Sequence, residues 1–178
     1  MREHLEISRA ALGSQHDSTL VAMSNVGELL RQQNKLGEAE PLLRGALEAQ
    51  RATMGLLNKD TLATVDSLAA LLSSQRKQGE VKTLISEALE SSRAALGPLH
   101  RDTLTRAMNL GVTLEALGDL KAAARLLREA LTGFSAAGQD EHASTRAACT
   151  ELAAVLEAQG RAREARELRA QYLGGGAK

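Results

Sequence analysis

Residues 61–72 read Thr61-Leu62-Ala63-Thr64-Val65-Asp66-Ser67-Leu68-Ala69-Ala70-Leu71-Leu72, and this stretch decides the fold. Leu62, Val65, Leu68, Ala69 and Leu72 step by three and four residues, which lays them along one stripe of an α-helix. The same register recurs every 42 residues with no insertion or deletion. Thr61 shares a column with Thr19, Thr103 and Thr145, Leu68 with Val26, Leu110 and Leu152, and Leu72 with Leu30, Leu114 and Leu156. Small residues keep the interval too, as Gly27, Ala69, Gly111 and Ala153. Many columns in phase mark an internal repeat.

A second helical stripe, Leu84, Ile85, Ala88 and Leu89, follows the first. Its columns are Leu42, Leu84, Leu126, Leu168; Leu5, Leu47, Leu89, Leu131; and Ala39, Val81, Ala123, Ala165. Each unit is thus a helical hairpin. Ser18, Asp60, Asp102 and Ser144 precede the first helices as candidate N-caps, able to accept from free backbone N–H groups. Leu12-Gly13, Met54-Gly55 and Leu96-Gly97 are stop signals, where Gly can take the left-handed conformation, and Pro98 bars continuation. The predicted helices are 2–12, 19–33 and 36–53, 61–75 and 78–95, 103–117 and 120–136, 145–159 and 161–173. Pro41 is placed near the first turn of its helix, where a missing N–H does least harm. The fold class is all-α: a single array over 1–173, with a half repeat at 1–13, repeats at 18–55, 60–97, 102–138 and 143–173, and a flexible tail at 174–178.

Composition agrees. Of 178 residues 43% are hydrophobic and 25% charged, which excludes a disordered chain. Lys plus Arg and Asp plus Glu are both 22, so no basic excess points to nucleic acid or an anionic membrane. Cys149 is the only cysteine and can form no internal disulfide, which fits a reducing compartment. The N-terminus lacks the apolar run of a secretory signal, and no stretch approaches the ~18 apolar residues of a membrane span. The expectation is a cytoplasmic chain. Phe134 and Tyr172 are the whole aromatic set, so the core must be built of Leu, Ala, Val and Met.

Thr103-Leu104-Thr105 through Asn109-Leu110-Gly111 and Leu117-Gly118-Asp119 resembles the first half of a tetratricopeptide (TPR) repeat. Residues 34–47, from Asn34-Lys35-Leu36-Gly37 to Gly45-Ala46-Leu47, resemble the second half. The 42-residue unit is longer than the ordinary ~34. It is similar to the kinesin-light-chain type, also found in nephrocystin-3 and in sensor arrays of signalling NTPases, as is the linker Leu96-Gly97-Pro98-Leu99-His100-Arg101-Asp102-Thr103-Leu104. The family places aromatics at packing sites that here hold Met23, Val65, Ala107 and Cys149, Leu30, Leu72, Leu114 and Leu156, or Leu43, Ile85, Leu127 and Arg169. Aromatic rings bury the most area, so a smaller stability margin is expected. The chain carries no long heptad segment of the kind that joins a kinesin light chain to its motor, and motor association is not expected of it.

The resemblance implies a right-handed superhelix whose concave side is lined by the first helices. The exposed residues there are Val21, Ser24, Asn25, Glu28 and Arg31; Ala63, Asp66, Ser67, Ala70 and Ser73; Thr105, Met108, Asn109, Val112 and Glu115; and Ala147, Thr150, Glu151, Ala154 and Glu157. Family members use an asparagine at the place of Asn25 and Asn109 to bond the backbone of an extended peptide, and an amide both donates and accepts. Capture of an acidic tail is not expected, since Glu28 and Asp66 stand near where its carboxylate cradle would be, with no groove Lys. Arg169, at a site where other units pack on a neighbour, suits a solubilising end cap, with ordinary drift as the competing account. At the other end Leu5 and Ile7 lie on an unpartnered helix, which implies a longer array or a further contact surface.

No catalytic, metal or cofactor site is read from the chain. His16, Asn58, His100 and His142 form one linker column, with His4 apart. Equivalent linkers lie about one helix-pair thickness apart, with helices at ~8–10 Å, so neighbouring histidines cannot share one ion at ~2 Å. Cys149 occupies a core site and reads as an inert thiol. No phosphate-binding Gly-x-x-x-x-Gly-Lys-Ser/Thr loop is present, and the Arg/Glu alternation of residues 161–169 reads as surface ion pairs. The expected function is a non-catalytic scaffold that binds a partner peptide or helix. The alternatives are a regulatory repeat segment of a larger signalling NTPase and a structural subunit of a large assembly.

Overall fold

The computed structural model describes residues 2–137 and 143–174, with the backbone alone described for residues 2–5. Among these residues there are nine α-helices and no strand: α1 (Arg2–Leu12), α2 (Asp17–Gln32), α3 (Leu36–Thr53), α4 (Lys59–Ser74), α5 (Gln78–Leu96), α6 (Arg101–Ala116), α7 (Leu120–Ala136), α8 (Ala143–Ala158) and α9 (Ala162–Leu173). They fall into two compact units, Met1–Ser91 and Ser92–Lys178. In the first, α2 and α3 pair as a hairpin, α1 packs on α2, and α4 packs on both. In the second, α6 and α7 pair, α8 packs on both, and α9 packs on α8.

The first helices start two residues earlier than their sequence predicts, and capping is the reason. His16, Asn58 and His100 are the N-caps; their Nδ1, Oδ1 and Nδ1 atoms accept from the N–H groups of Ser18, Asp60 and Asp102 at 3.2, 2.8 and 3.2 Å. Ser18, Asp60 and Asp102 therefore sit inside the first turn, where the acids suit the positive end of the helix dipole. Ser144 likewise lies inside α8. His142, the fourth member of the column, lies outside the described residues, as do residues 175–178 of the tail.

The stops between repeats are as read. Gly13, Gly55 and Gly97 have φ of +90°, +78° and +88°. A second left-handed column, Asn34, Arg76, Gly118 and Gly160, closes each first helix inside its hairpin. One residue on, the N–H groups of Lys35, Lys77, Asp119 and Arg161 donate back to Leu30, Leu72, Leu114 and Leu156 at 2.8–2.9 Å, the bond of a Schellman turn. Pro41 is the sixth residue of α3, past the first turn, and denies the Gly37 carbonyl its helical partner.

The interior follows the columns. Val65, Ala107 and Cys149 are fully buried, as are Leu43 and Leu127, with Leu30, Leu72, Leu114 and Leu156 nearly so. Gly27 and Gly111 let the hairpin helices approach closely: a Cβ there lies 2.7 Å from Cγ of Leu43 and of Leu127. Arg169, in the column of Leu43 and Leu127, is half-buried and pairs with Glu157 across the α8–α9 hairpin. Cys149 points its thiol at the Leu168 carbonyl, 3.7 Å away, and burial pushes its pKa up.

Candidate partner-binding face

In the first unit α2 carries Val21, Asn25 and Glu28 on one side. Val21 is half-buried and Asn25 exposed, and the Asn25 carboxamide makes no hydrogen bond among the described residues. Ser24 does not belong to this surface. It is 8% exposed and its Oγ donates to the Val21 carbonyl at 2.9 Å, because it faces inward between Leu20 and Gly27 rather than outward with Asn25. Glu28 is engaged as well. It accepts from Arg31 at 2.7 and 2.8 Å and from Gln32 at 2.9 Å. The Arg31 bonds, against the opposing effect of burial, hold its carboxyl below the usual range, with Gln32 and Ser67 of α4 adding to them. Ser67 is half-buried, and Asp66 next to it in the chain is exposed.

Val21 and Asn25 line a cavity of about 310 Å³ with Asp17, Ser18, Met54 and Asp60. Met54 is the C-cap of α3, and Asp17 and Asp60 are first-turn acids set in place by the caps His16 and Asn58. One wall is apolar and the other carries carboxylates and an amide. Asp17, Met54 and Asp60 are not apparent from sequence, yet the shared linker column is the available signal. It brings two helix starts side by side.

In the second unit α6 presents Thr105, Met108, Asn109 and Val112. Thr105 spends its hydroxyl on the Arg101 carbonyl at 3.0 Å. Met108 and Asn109 are half-buried and Val112 is 39% exposed. The Asn109 carboxamide, like that of Asn25, has no hydrogen-bond partner among the described residues. Glu115 faces Glu151 of α8; burial first, and then the Glu151 charge, raise its pKa. Neither carboxylate has an ion-pair partner among the described residues. The side of α6 and α8 is therefore acidic beside an unused amide and an apolar Val–Met patch.

Among the described residues no group of three His, Cys, Asp or Glu is placed to hold a metal ion, and no helix is long and apolar enough to cross a membrane. Of the linker histidines, His16 and His100 supply helix caps.

The profile of the tetratricopeptide repeat family matches residues 1–52 and 61–136. Comparison with curated protein sequences gave no match. Among solved structures the chain is similar to a protein of Podosopora anserina named for a kinesin light chain and for its nearly identical TPR-like repeats. The TM-score is 0.82 at 24% identity, covering 96% of this chain and 81% of that one. A singly substituted form of that protein gives 0.83 at 24% identity, covering 96% and 80%. BtubC (BKLC) of P. vanneervenii gives 0.81 at 19% identity, covering 99% and 72%. At these identities the likeness establishes a fold, an all-α array of repeated hairpins.

Proposed function

Because the chain belongs to the tetratricopeptide repeat family, we propose that it is a non-catalytic scaffold that holds an extended or helical segment of a partner protein against its first helices. The observation that carries this reading is the pair of unused carboxamides, Asn25 and Asn109, in one column of the repeat and each beside apolar surface. A peptide backbone offers alternating N–H and C=O groups, and a carboxamide can serve both. Val21 with Met54 in the first unit, and Met108 with Val112 in the second, would receive apolar side chains of a bound segment. Asp17 and Asp60, and Glu115 and Glu151, favour a partner with basic residues at those points.

The contact area lacks Tyr and Trp, which dominate interface hot spots, so a modest affinity is expected. A chain with one cysteine suits a cytoplasmic setting. The test is affinity for the partner recovered by crosslinking: Asn25→Ala and Asn109→Ala should each weaken binding about tenfold with unchanged thermal unfolding. Unaltered affinity in the double variant would remove this face from the binding site.

A further inference from the structure

We propose that a second, independent site lies on α7 beside the α8–α9 turn, and that it docks an acidic segment of a protein partner. Lys121, Arg125 and Arg128 follow one another at i, i+4 and i+7, a stripe about 10 Å long on one side of α7. With Gln159 and Arg161 from the facing turn they line a cavity of about 480 Å³. All of these residues belong to the second unit.

The charge in this cleft is only partly compensated. Glu129, the one carboxylate in the lining, is held by Arg93 at 2.7 Å. Arg128 and Arg161 share a single acid, Glu164, at 3.3 and 2.7 Å. Lys121 and Arg125 have no hydrogen-bond or ion-pair partner among the described residues. Four cations therefore line one cleft in a chain whose overall charge is zero.

The same columns in the first unit show that this is not simply what second helices do. There, Gly37 and Pro41 of α3 stand in the columns of Lys121 and Arg125, while Arg44 and Lys77, in the columns of Arg128 and Arg161, both pair with Glu40, and Arg44 with Glu80 as well.

The shape selects among anions. Cations spread along about 10 Å of helix cannot all converge on one phosphate, and the cleft has no aromatic ring on which a nucleobase could stack. Carboxylates one helical turn apart match the spacing of Lys121, Arg125 and Arg128, and the forked guanidinium pairs with a carboxylate through two bonds.

Fluorescence anisotropy of a labelled hexaglutamate peptide tests this with the full chain. Binding is expected, tightening at low ionic strength, and the Lys121→Glu/Arg125→Glu variant should weaken it at least about tenfold. Arg163→Ala, on the exposed side of α9, and Asn25→Ala should leave it unchanged. Thermal unfolding verifies the fold of the double variant, with the single change Arg125→Gln expected to reduce affinity in the same direction. Absence of binding, equal binding by both charge variants, or inorganic pyrophosphate binding as tightly as the peptide would overturn the proposal.

Discussion

The second helices α3 and α7 reach the same column near their C-terminal ends and fill it with opposite chemistry. In α3 the residue is Gln50, fully buried, with neither its amide nitrogen nor its oxygen hydrogen-bonded. In α7 it is Phe134, the largest side chain of the interior. An unpartnered buried amide costs stability, whereas a buried ring contributes it. One backbone design therefore tolerates both, and the first unit should be the weaker of the two. The repeat dictates where a side chain goes; the side chain decides how firmly that place is held.

The largest effect should come from breaking the stronger side. Phe134→Ala is expected to cost about 3–5 kcal/mol by chemical denaturation, and a loss below about 1 kcal/mol would mean that Phe134 is not a core anchor. Next is the close approach at Gly111. Gly111→Ala forces its Cβ onto Leu127 and should cost about 2 kcal/mol. Repeat two offers the remedy, since it carries Ala69 with Ile85 in the same two columns. Adding Leu127→Ile should recover part of the loss, and strictly additive effects would reject the coupling.

Strengthening the weaker side is expected to be a smaller change. Gln50→Met removes two unpartnered polar atoms and should raise the unfolding midpoint, by roughly 1–2 kcal/mol in stability. Glu40 makes the first unit acid-sensitive. Hydrogen bonds from Gln75 and then Lys77 outweigh burial and hold its carboxyl down, from 4.5 to about 2. A depressed carboxyl stabilises the fold fully above 4.5, and that contribution fades as pH falls toward about 2. Glu40→Gln should cost on the order of 1 kcal/mol near pH 7 and flatten the acid limb of the stability profile. Smallest is Arg76→Gly. Arg76 sits at φ +60° where repeats three and four use Gly, and relief should bring about 0.5 kcal/mol.

The columns make most of this fold legible. Leu43, Leu72, Leu114 and Leu127 are where their periodicity puts them, and Gly13, Gly55 and Gly97 turn as stop signals should. The caps are harder to read. Asp60 and Ser18 look like better N-caps than a histidine, yet Asn58 in the column of His16 and His100 shows that the position, not the residue type, accepts the bond. Ser24 and Gln50 are hidden for a related reason. A helix stripe fixes the direction of a side chain only to within part of a turn, and the neighbouring helix decides whether its edge is covered. The cationic cleft is legible only in part: the α7 stripe lies in sequence, but Gln159 and Arg161 join it through packing of the α8–α9 turn.

The proposed role rests on the outward sides of the first helices, and site-specific photo-crosslinking in cells addresses it most directly. A benzophenone amino acid placed at Val21 or at Val112 should yield a covalent adduct with the protein partner, while the same group at Glu48 on α3 should yield none. Adducts from Glu48 alone, with Val21 and Val112 silent, would contradict the account.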